Sequence, residues 1–468
     1  MENAEFGMVG LGTMGRNFLL NVAEQGFTAS GYDLDPQKTA ALNSETEGFE
    51  VEGFSELGPF LESLAAPRKI MLLVPAGKPV DSVISALQPH LAEGDIIIDG
   101  GNSHFPDTER RMNDLSATGL GFLGTGVSGG AEGARNGPSI MSGGDPEVYS
   151  HVKPVLEAVS AKVNGEPCAA RVGSGSAGHF VKMVHNGIEY GMMQLICEVY
   201  DILSRGMGIS ADRCAEIFAE WDSGELNSFL IEITAKILAK KDDDGEGNLV
   251  DKILDTAGQK GTGRWTSEVA LEMGVPIPTI DSAVTMRQIS SFKERRIGLA
   301  EEYPREIGPL GDVLAVGTLR KGLFAAYILT YAQGMSLLTI ASKDKNYGLD
   351  IEEIAKIWRG GCIIRASLLE DIRKAFAHQP DLQNLILHPS FKEELVDSVG
   401  ALREVTVKSM DAGLPSYCFA SCLAYFDAFT TARLPVNLLQ GQRDFFGAHT
   451  YQRTDKEGTF TSQWDNDQ

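Results

Sequence analysis

The sequence predicts an α/β domain built on a parallel sheet, then a large all-α domain with a duplicated helical unit, then a C-terminal tail. Three observations lead there. Over the first third, short apolar runs ended by Gly, Pro or Asp alternate with amphipathic stretches, as in a parallel sheet covered by helices on both faces. Near residue 178 that alternation stops, and helical periodicity dominates to about residue 434. The last stretch, opening LPVNLLQGQRDFFGAHTY, turns rich in Gly, Gln, Thr and aromatics, which reads as an ordered arm against another surface. The expected parts are residues 1–177, 178–434 and 435–468.

Taken in order, EFGMVG, FTASGYD, KIMLLVP, DIIIDGG and GLGFLGTGV read as strands. NFLLNVAEQ, VDSVISALQPHL and DTERRMNDLSATG read as the helices between them. SIMSGG, PEVYSHVKPVLEAVSA and CAARVG continue the same sheet. HFVKMVHNGIEYGMMQLICEVYDIL then opens the helical part as one long helix. Inside that part, CAEIFAEWDSGELNSFLIEI from Cys214 resembles EEIAKIWRGGCIIRASLLEDI from Glu352, a weak repeat of about 140 residues. The helices before them, GMMQLICEVYDIL and GMSLLTIASKDK, also correspond.

A chain of 468 residues exceeds one ordinary core and implies two or three domains. A net charge of −23 argues against nucleic acid or an anionic membrane as the partner. An anionic substrate would therefore need a local basic cluster. The six cysteines show no CxxC pairing, and the CFASC pair at Cys418 and Cys422 reads as a buried helix face. The N-terminus lacks the pattern of a signal peptide, and no uninterrupted apolar run reaches membrane-spanning length, so the expected compartment is the cytoplasm.

GLGTMG places Gly10, Gly12 and Gly15 in GxGxxG spacing after a strand and before a helix, with an acid ending the second strand. Such glycines let a pyrophosphate approach the backbone at a helix N-terminus, so the first domain is read as a Rossmann-type dinucleotide-binding domain. In the long helix, Lys182, His185, Asn186, Glu189 and Tyr190 share an arc of roughly 140°. A polar stripe on an otherwise apolar helix lines a cleft, and these groups suit proton transfer on a polyhydroxylated substrate. Asn102 follows the strand DIIID, and Ser128, Gly129 and Gly130 follow another; strand C-terminal ends are where open α/β sheets bind ligands. Both patches are also ordinary turn chemistry.

ILDTAGQKGTGRWT, DGGNS, GVSGGAEGAR, KMVHNGIEYG and QRDFFGAHTY, in that spacing along the whole chain, together resemble decarboxylating 6-phosphogluconate dehydrogenases. The resemblance implies oxidation of the 3-hydroxyl of 6-phosphogluconate with hydride transfer to a nicotinamide, then loss of CO₂ without a metal ion to give ribulose 5-phosphate, in the pentose phosphate pathway or gluconate catabolism. It implies Lys182 as general base and Glu189 as general acid, which need a lowered and a raised pKa. Substrate contacts are implied for Asn102, Ser128, Gly129, Gly130, His185, Asn186 and Tyr190, with Lys260, Arg287, Arg443 and His449 on the phosphate. Arg443 and His449 would come from the tail of a neighbouring subunit, making a homodimer. Dinucleotide contacts are implied for Gly10, Leu11, Gly12, Thr13, Met14, Gly15, Asp33, Leu34, Val74, Pro75, Ala76 and Asn102.

Two departures bear on the cofactor. Pro75 stands where the family commonly has a lysine, and Asp33-Leu34-Asp35 stands where NADP-using members usually carry Asn-Arg-Thr. A carboxylate accepts hydrogen bonds from the ribose hydroxyls of NAD and repels a 2′-phosphate, so NAD is the expected cofactor, with Lys38 and Arg16 offering partial compensation toward NADP. A shorter β-hydroxyacid dehydrogenase would share the first domain but not the repeat or the tail. A dinucleotide-sensing regulator would have no use for Lys182 with Glu189.

Overall fold

The computed structural model describes residues 3–45, 48–311 and 313–464. Its strands are β1 Phe6–Val9, β2 Ala29–Tyr32, β3 Val51–Phe54, β4 Lys69–Leu72, β5 Ile96–Asp99, β6 Gly121–Ser128, β7 Ser139–Gly144, a small hairpin β8 Lys162–Val163 and β9 Glu166–Pro167, and β10 Ala169–Gly173. Seven of these answer the expected apolar runs. β3, with the sequence VEGF, was not foreseen because a short edge strand lacks a continuous apolar run. The helices between them are α1 Thr13–Glu24, α2 Pro36–Ser44, α3 Leu57–Glu62, α4 Lys78–Leu87, α5 Phe105–Leu115, α6 Gly130–Asn136 and α7 Pro146–Val159.

The sheet order is β3-β2-β1-β4-β5-β6-β7-β10, with β1 to β6 parallel and β7 antiparallel to β6. The chain runs outward from β1 to β3 and then returns to the other side of β1, so the order reverses between β1 and β4. A crevice opens there at the carboxyl ends of the strands, the ligand position of doubly wound sheets. Alternate residues feed cores on opposite faces: Phe6, Met8, Met71 and Ile98 on one, Val9, Ile70, Leu72 and Ile97 on the other.

The helical part comprises α8 Ala177–Asp201, α9 Ala211–Asp222, α10 Phe229–Ala239, α11 Thr262–Glu272, α12 Pro278–Ser290, α13 Lys293–Glu302, α14 Val316–Asp344, α15 Ile351–Ile357, α16 Leu368–His378, α17 Pro389–Asp411 and α18 Tyr417–Phe429. A long helix followed by two shorter ones occurs twice, as α8-α9-α10 and α14-α15-α16. The matching segments lie against each other: the Phe229 N–H donates to the Arg365 carbonyl at 3.0 Å and the Ser367 N–H to the Asn227 carbonyl at 3.0 Å.

The chain up to Cys422 forms one compact unit and the chain from Leu423 a second. The first expected boundary falls in the first turn of α8, and that helix rests directly on the sheet. No apolar run in α14 is uninterrupted over a membrane-spanning length, since Thr330, Gln333 and Ser336 break it, but the helix as a whole is long and apolar enough to cross a membrane by length and composition. Its most apolar window is 89% buried, because α8 and α17 cover it. The second unit takes in the expected C-terminal arm. It holds a helix, α19 Val436–Gly447, and a hairpin of β11 Tyr451–Gln452 with β12 Thr459–Phe460. Buried Asp444 staples it, accepting the N–H groups of Thr450 (2.9 Å) and Ser462 (3.0 Å) and the Trp464 indole N–H (2.9 Å).

Candidate active site

At the glycine turn the three glycines do different work. Gly10 has φ +97°, and a Cβ there would lie 2.6 Å from the Leu73 carbonyl, so the β1 turn packs directly on the β4 turn. A Cβ on Gly15 would fall 1.8 Å from the Gly10 carbonyl, so α1 can start only with glycine there. A Cβ on Gly12 would meet nothing, which leaves the α1 N-terminus open to an anion. Beside this turn Val9, Gly10, Tyr32, Asp33, Leu34, Val74 and Val83 line a largely apolar cavity of about 190 Å³. Its size and lining fit the adenosine half of a dinucleotide.

Asp33 is more engaged than its place at the end of β2 suggests. Its Oδ2 accepts the Leu11 N–H at 2.8 Å, its Oδ1 accepts the Asp35 N–H at 2.9 Å, and Lys38 Nζ reaches both oxygens at 3.2 and 3.3 Å. The carboxylate thus ties the glycine turn to α2, and a ribose would have to share it with Lys38. Asp35 caps α2 through the Gln37 N–H at 3.0 Å. Leu34 is 82% exposed. Arg16 pairs with Glu45 at 3.5 Å.

The turns after β4 and β5, bearing Val74-Pro75-Ala76 and Asn102, hang on a buried arginine that the sequence reading passed over. Arg111 donates to Asp81 (2.7 Å), Asp99 (3.1 Å), Ser103 Oγ (3.2 Å) and the Gly77 carbonyl (3.1 Å). Asp99 also accepts from Ser103 Oγ at 2.7 Å and from the Gly101 N–H at 3.2 Å. Asn102 itself is exposed at the crevice edge.

Glycine also seats α8. A Cβ on Gly178 would stand 2.2 Å from the Gly124 carbonyl, and a Cβ on Gly126 would stand 2.4 Å from Lys182 Cβ. The helix therefore lies on β6 and β7 and carries its polar stripe to the Ser128-Gly129 turn. There Lys182 Nζ donates to Asn186 Oδ1 at 2.6 Å and lies 3.4 Å from His185 Nδ1, while His185 Nε2 lies 3.4 Å from Ser128 Oγ. Asn186 Nδ2 in turn donates to Thr262 Oγ1 at 3.3 Å. In the sequence Thr262 has no signal beyond its place in ILDTAGQKGTGRWT. Gly129 has φ +119° and abuts the Gly361 carbonyl, which belongs to the loop after α15.

Burial acts on this stripe in opposite directions. Lys182 is pushed below the ordinary lysine range by burial, with Glu189 and Cys362 opposing. Glu189 is pushed above the ordinary carboxylate range by burial, with Lys182 and Arg287 opposing. Burial and then Lys182 drive His185 well down, so its imidazole is neutral. A lysine that burial makes readier to lose its proton and a carboxyl that burial makes readier to keep one stand two turns apart on one helix. Nearby, the Arg287 guanidinium lies 3.3 Å over the Tyr190 ring, and Gly263 at the start of α11 packs on that ring. Lys260 is exposed two residues before Thr262. Gly130 is exposed at the start of α6. Arg443 and His449 lie in the second compact unit: Arg443 donates to Gln440 at 3.2 Å, and His449 packs edge-on to Phe446.

A dinucleotide crevice, together with a buried lysine and a carboxyl on which burial favours the proton, defines a nicotinamide-dependent dehydrogenase. Residues 5–171 match the NAD binding domain of 6-phosphogluconate dehydrogenase, and residues 178–464 match the 6-phosphogluconate dehydrogenase C-terminal domain. The NADP(+)-dependent, decarboxylating 6-phosphogluconate dehydrogenase of Bacillus subtilis is 50% identical over 99% of this chain and 100% of its own. The decarboxylating enzyme of Escherichia coli is 47% identical over 99% and 100%. The 6-phosphogluconate dehydrogenase structure of Plasmodium falciparum superposes with a TM-score of 0.94 at 42% identity, covering 98% of this chain and 100% of that one. The chain belongs to the 6-phosphogluconate dehydrogenase family.

Proposed function

We propose that the chain catalyses the oxidative decarboxylation of 6-phosphogluconate to ribulose 5-phosphate and CO₂, in the pentose phosphate pathway. The observation that carries the chemistry is the opposed displacement of Lys182 and Glu189 on one buried face of α8. A nicotinamide dinucleotide, held by the Gly10–Gly15 turn and the cavity beside Asp33, supplies the hydride acceptor when bound. Lys182, in the neutral form that burial favours, takes the proton of the 3-hydroxyl as the C3 hydride leaves. The resulting ammonium then donates to the C3 carbonyl oxygen, which draws in the electron pair of the C1–C2 bond as CO₂ departs. Glu189 protonates the enediol carbon that lost CO₂ while Lys182, neutral again after that donation, takes back the C3 hydroxyl proton so that the oxygen ends as the ketone; return of that proton from Lys182 to ionised Glu189 restores both groups. His185 and Asn186 keep Lys182 in place, with Asn102, Ser128, Gly129, Gly130 and Tyr190 holding the carboxylate and hydroxyls.

Lys260 and Arg287 bind the phosphate, and Arg443 and His449 complete that site from the second copy of a homodimer. The tail supports this with exposed Val436, Leu438, Leu439, Phe445 and Phe446, an apolar surface that a partner would cover. A cytoplasmic enzyme is the matching compartment: all six cysteines are unpaired.

NAD is the preferred cofactor. The Bacillus subtilis relative is named NADP(+)-dependent, so the preference rests on this chain's own residues. Asp33 and exposed Leu34 offer no cation to a 2′-phosphate, and Lys38, which could, is committed to Asp33 at 3.2 Å. The test is turnover of 6-phosphogluconate with each dinucleotide, following CO₂ and reduced cofactor. Equal or higher kcat/KM with NADP overturns the preference, and absence of CO₂ with both overturns the activity. Lys182→Ala is expected to abolish hydride transfer while 6-phosphogluconate still binds.

A further inference from the structure

Two segments of the proposed site come from different parts of the fold: the turn with Asn102 after β5, and the segment with Lys260 before α11. Every residue from Asp251 to Lys260 is exposed. That segment is tied upstream, where Lys293 and Arg296 pair with Asp255, and the Ala257 N–H donates to Ser290 Oγ at 3.0 Å. Downstream it meets α11, and one side chain of its first turn reaches across to the other segment. The Trp265 indole stacks on the His104 imidazole with ring centroids 4.4 Å apart and planes 18° from parallel.

Each ring is anchored on its own side. His104 stands two residues after Asn102 as the N-cap residue of α5, edge-on to Phe105 at 5.3 Å. Phe105 is itself edge-on to fully buried Phe180 of α8 at 5.1 Å. The indole packs over Gly261, where a Cβ would come within 3.4 Å of two indole carbons, and Gly261 holds φ +101° directly after Lys260. A larger residue at Gly261 would be strained and would press on the indole. The conformation that aims Lys260 is thus built on the ring that stacks on His104.

We infer that the His104–Trp265 stack is a latch that holds the Lys260 segment in its substrate-binding position against the Asn102 turn. His104 and Trp265 are positioning residues, acting through Lys260, and the inference rests on the assignment of Lys260 to the substrate phosphate. Burial displaces His104 downward, with Arg264 adding to that and Asp107 and Glu268 opposing, so the ring stacks as a neutral one. A phenyl ring should serve in its place.

The test is calorimetric binding of 6-phosphogluconate to the full-length enzyme, with dinucleotide binding measured beside it. His104→Ala and Trp265→Ala each weaken 6-phosphogluconate about five- to tenfold, the scale of one aromatic pair. The double variant is no weaker than the worse single by more than about twofold, because both remove one contact. His104→Phe binds within about twofold of the wild type, and dinucleotide affinity stays within about twofold throughout. Melting curves confirm that each variant is folded. Wild-type binding by His104→Ala, multiplicative losses in the double variant, or no recovery in His104→Phe overturns the latch. Lys260→Met separates the two layers: if it binds normally, the phosphate assignment fails and the latch with it. If it binds weakly while His104→Ala binds normally, the latch alone fails.

Discussion

Gly126→Ala probes how closely catalysis depends on the seating of α8. The new Cβ would lie 2.4 Å from Lys182 Cβ, 2.8 Å from its Cγ and 3.2 Å from the Gly178 carbonyl. Ordinary contact begins at 3.4 Å, so the helix or the lysine must retreat by about 1 Å. Strand β6 cannot yield in its place, because it is paired on both sides by β5 and β7. A misplacement of about 1 Å at a reacting group costs on the order of 100-fold in rate, while one extra methyl in a packed interior destabilises by about 1–3 kcal/mol. The two effects separate experimentally. Steady-state kcat with 6-phosphogluconate is expected to fall about 100-fold, with dinucleotide binding near wild type and the protein still folded at 25 °C. A variant with wild-type kcat would show that Lys182 does not depend on this packing, and the geometric account of the base would fail.

Other outcomes follow from the same structure. Glu189→Gln is expected to lower kcat by about 10²–10⁴-fold and to remove one limb of the bell-shaped pH profile. Since ionised Glu189 opposes the depression of Lys182, its loss lets Lys182 shed its proton at lower pH. The remaining rise in kcat/KM should therefore move to lower pH, and a shift upward would contradict the coupling. Lys38→Met leaves Asp33 without its cation, so kcat/KM with NADP should drop about tenfold while that with NAD changes little. Equal losses with both cofactors would count against a role at the ribose. Glu198, buried on α8 and pushed up to about 7 by burial, accepts the Cys418 and Phe419 N–H groups at 2.8 and 3.0 Å. Glu198→Gln leaves one of these without an acceptor and should cost about 1–3 kcal/mol, read as a lowered melting temperature. An unchanged melting temperature would mean that water or a neighbour supplies the bond.

Much of the chain is readable locally. Strand and helix periods need only neighbouring residues, and so do the GxGxxG turn and the polar stripe on α8, because a helix sets the directions of Lys182 and Glu189 by spacing alone. Segments with weak local signal were missed or misjudged. β3 is a short edge strand with Glu and Gly inside it, and the Gly and Gln content of the expected arm conceals α19. α14 is apolar on average along its length, and only α8 and α17 packed around it show it to be a core helix.

Sequence by itself determined the family and pointed to the residues proposed to carry the chemistry, since both reside in short motifs of fixed spacing. Only the tertiary structure decided the state of those residues. Desolvation of Lys182 comes from its burial against β6, and its orientation comes through Asn186 and Thr262, 76 residues apart. Asp33, readable as a free ribose acceptor, is already bonded to the Leu11 N–H and to Lys38. A pKa, a shared hydrogen bond or a ring stack depends on which distant groups exclude water from a site. That information is set by packing rather than by spacing along the chain.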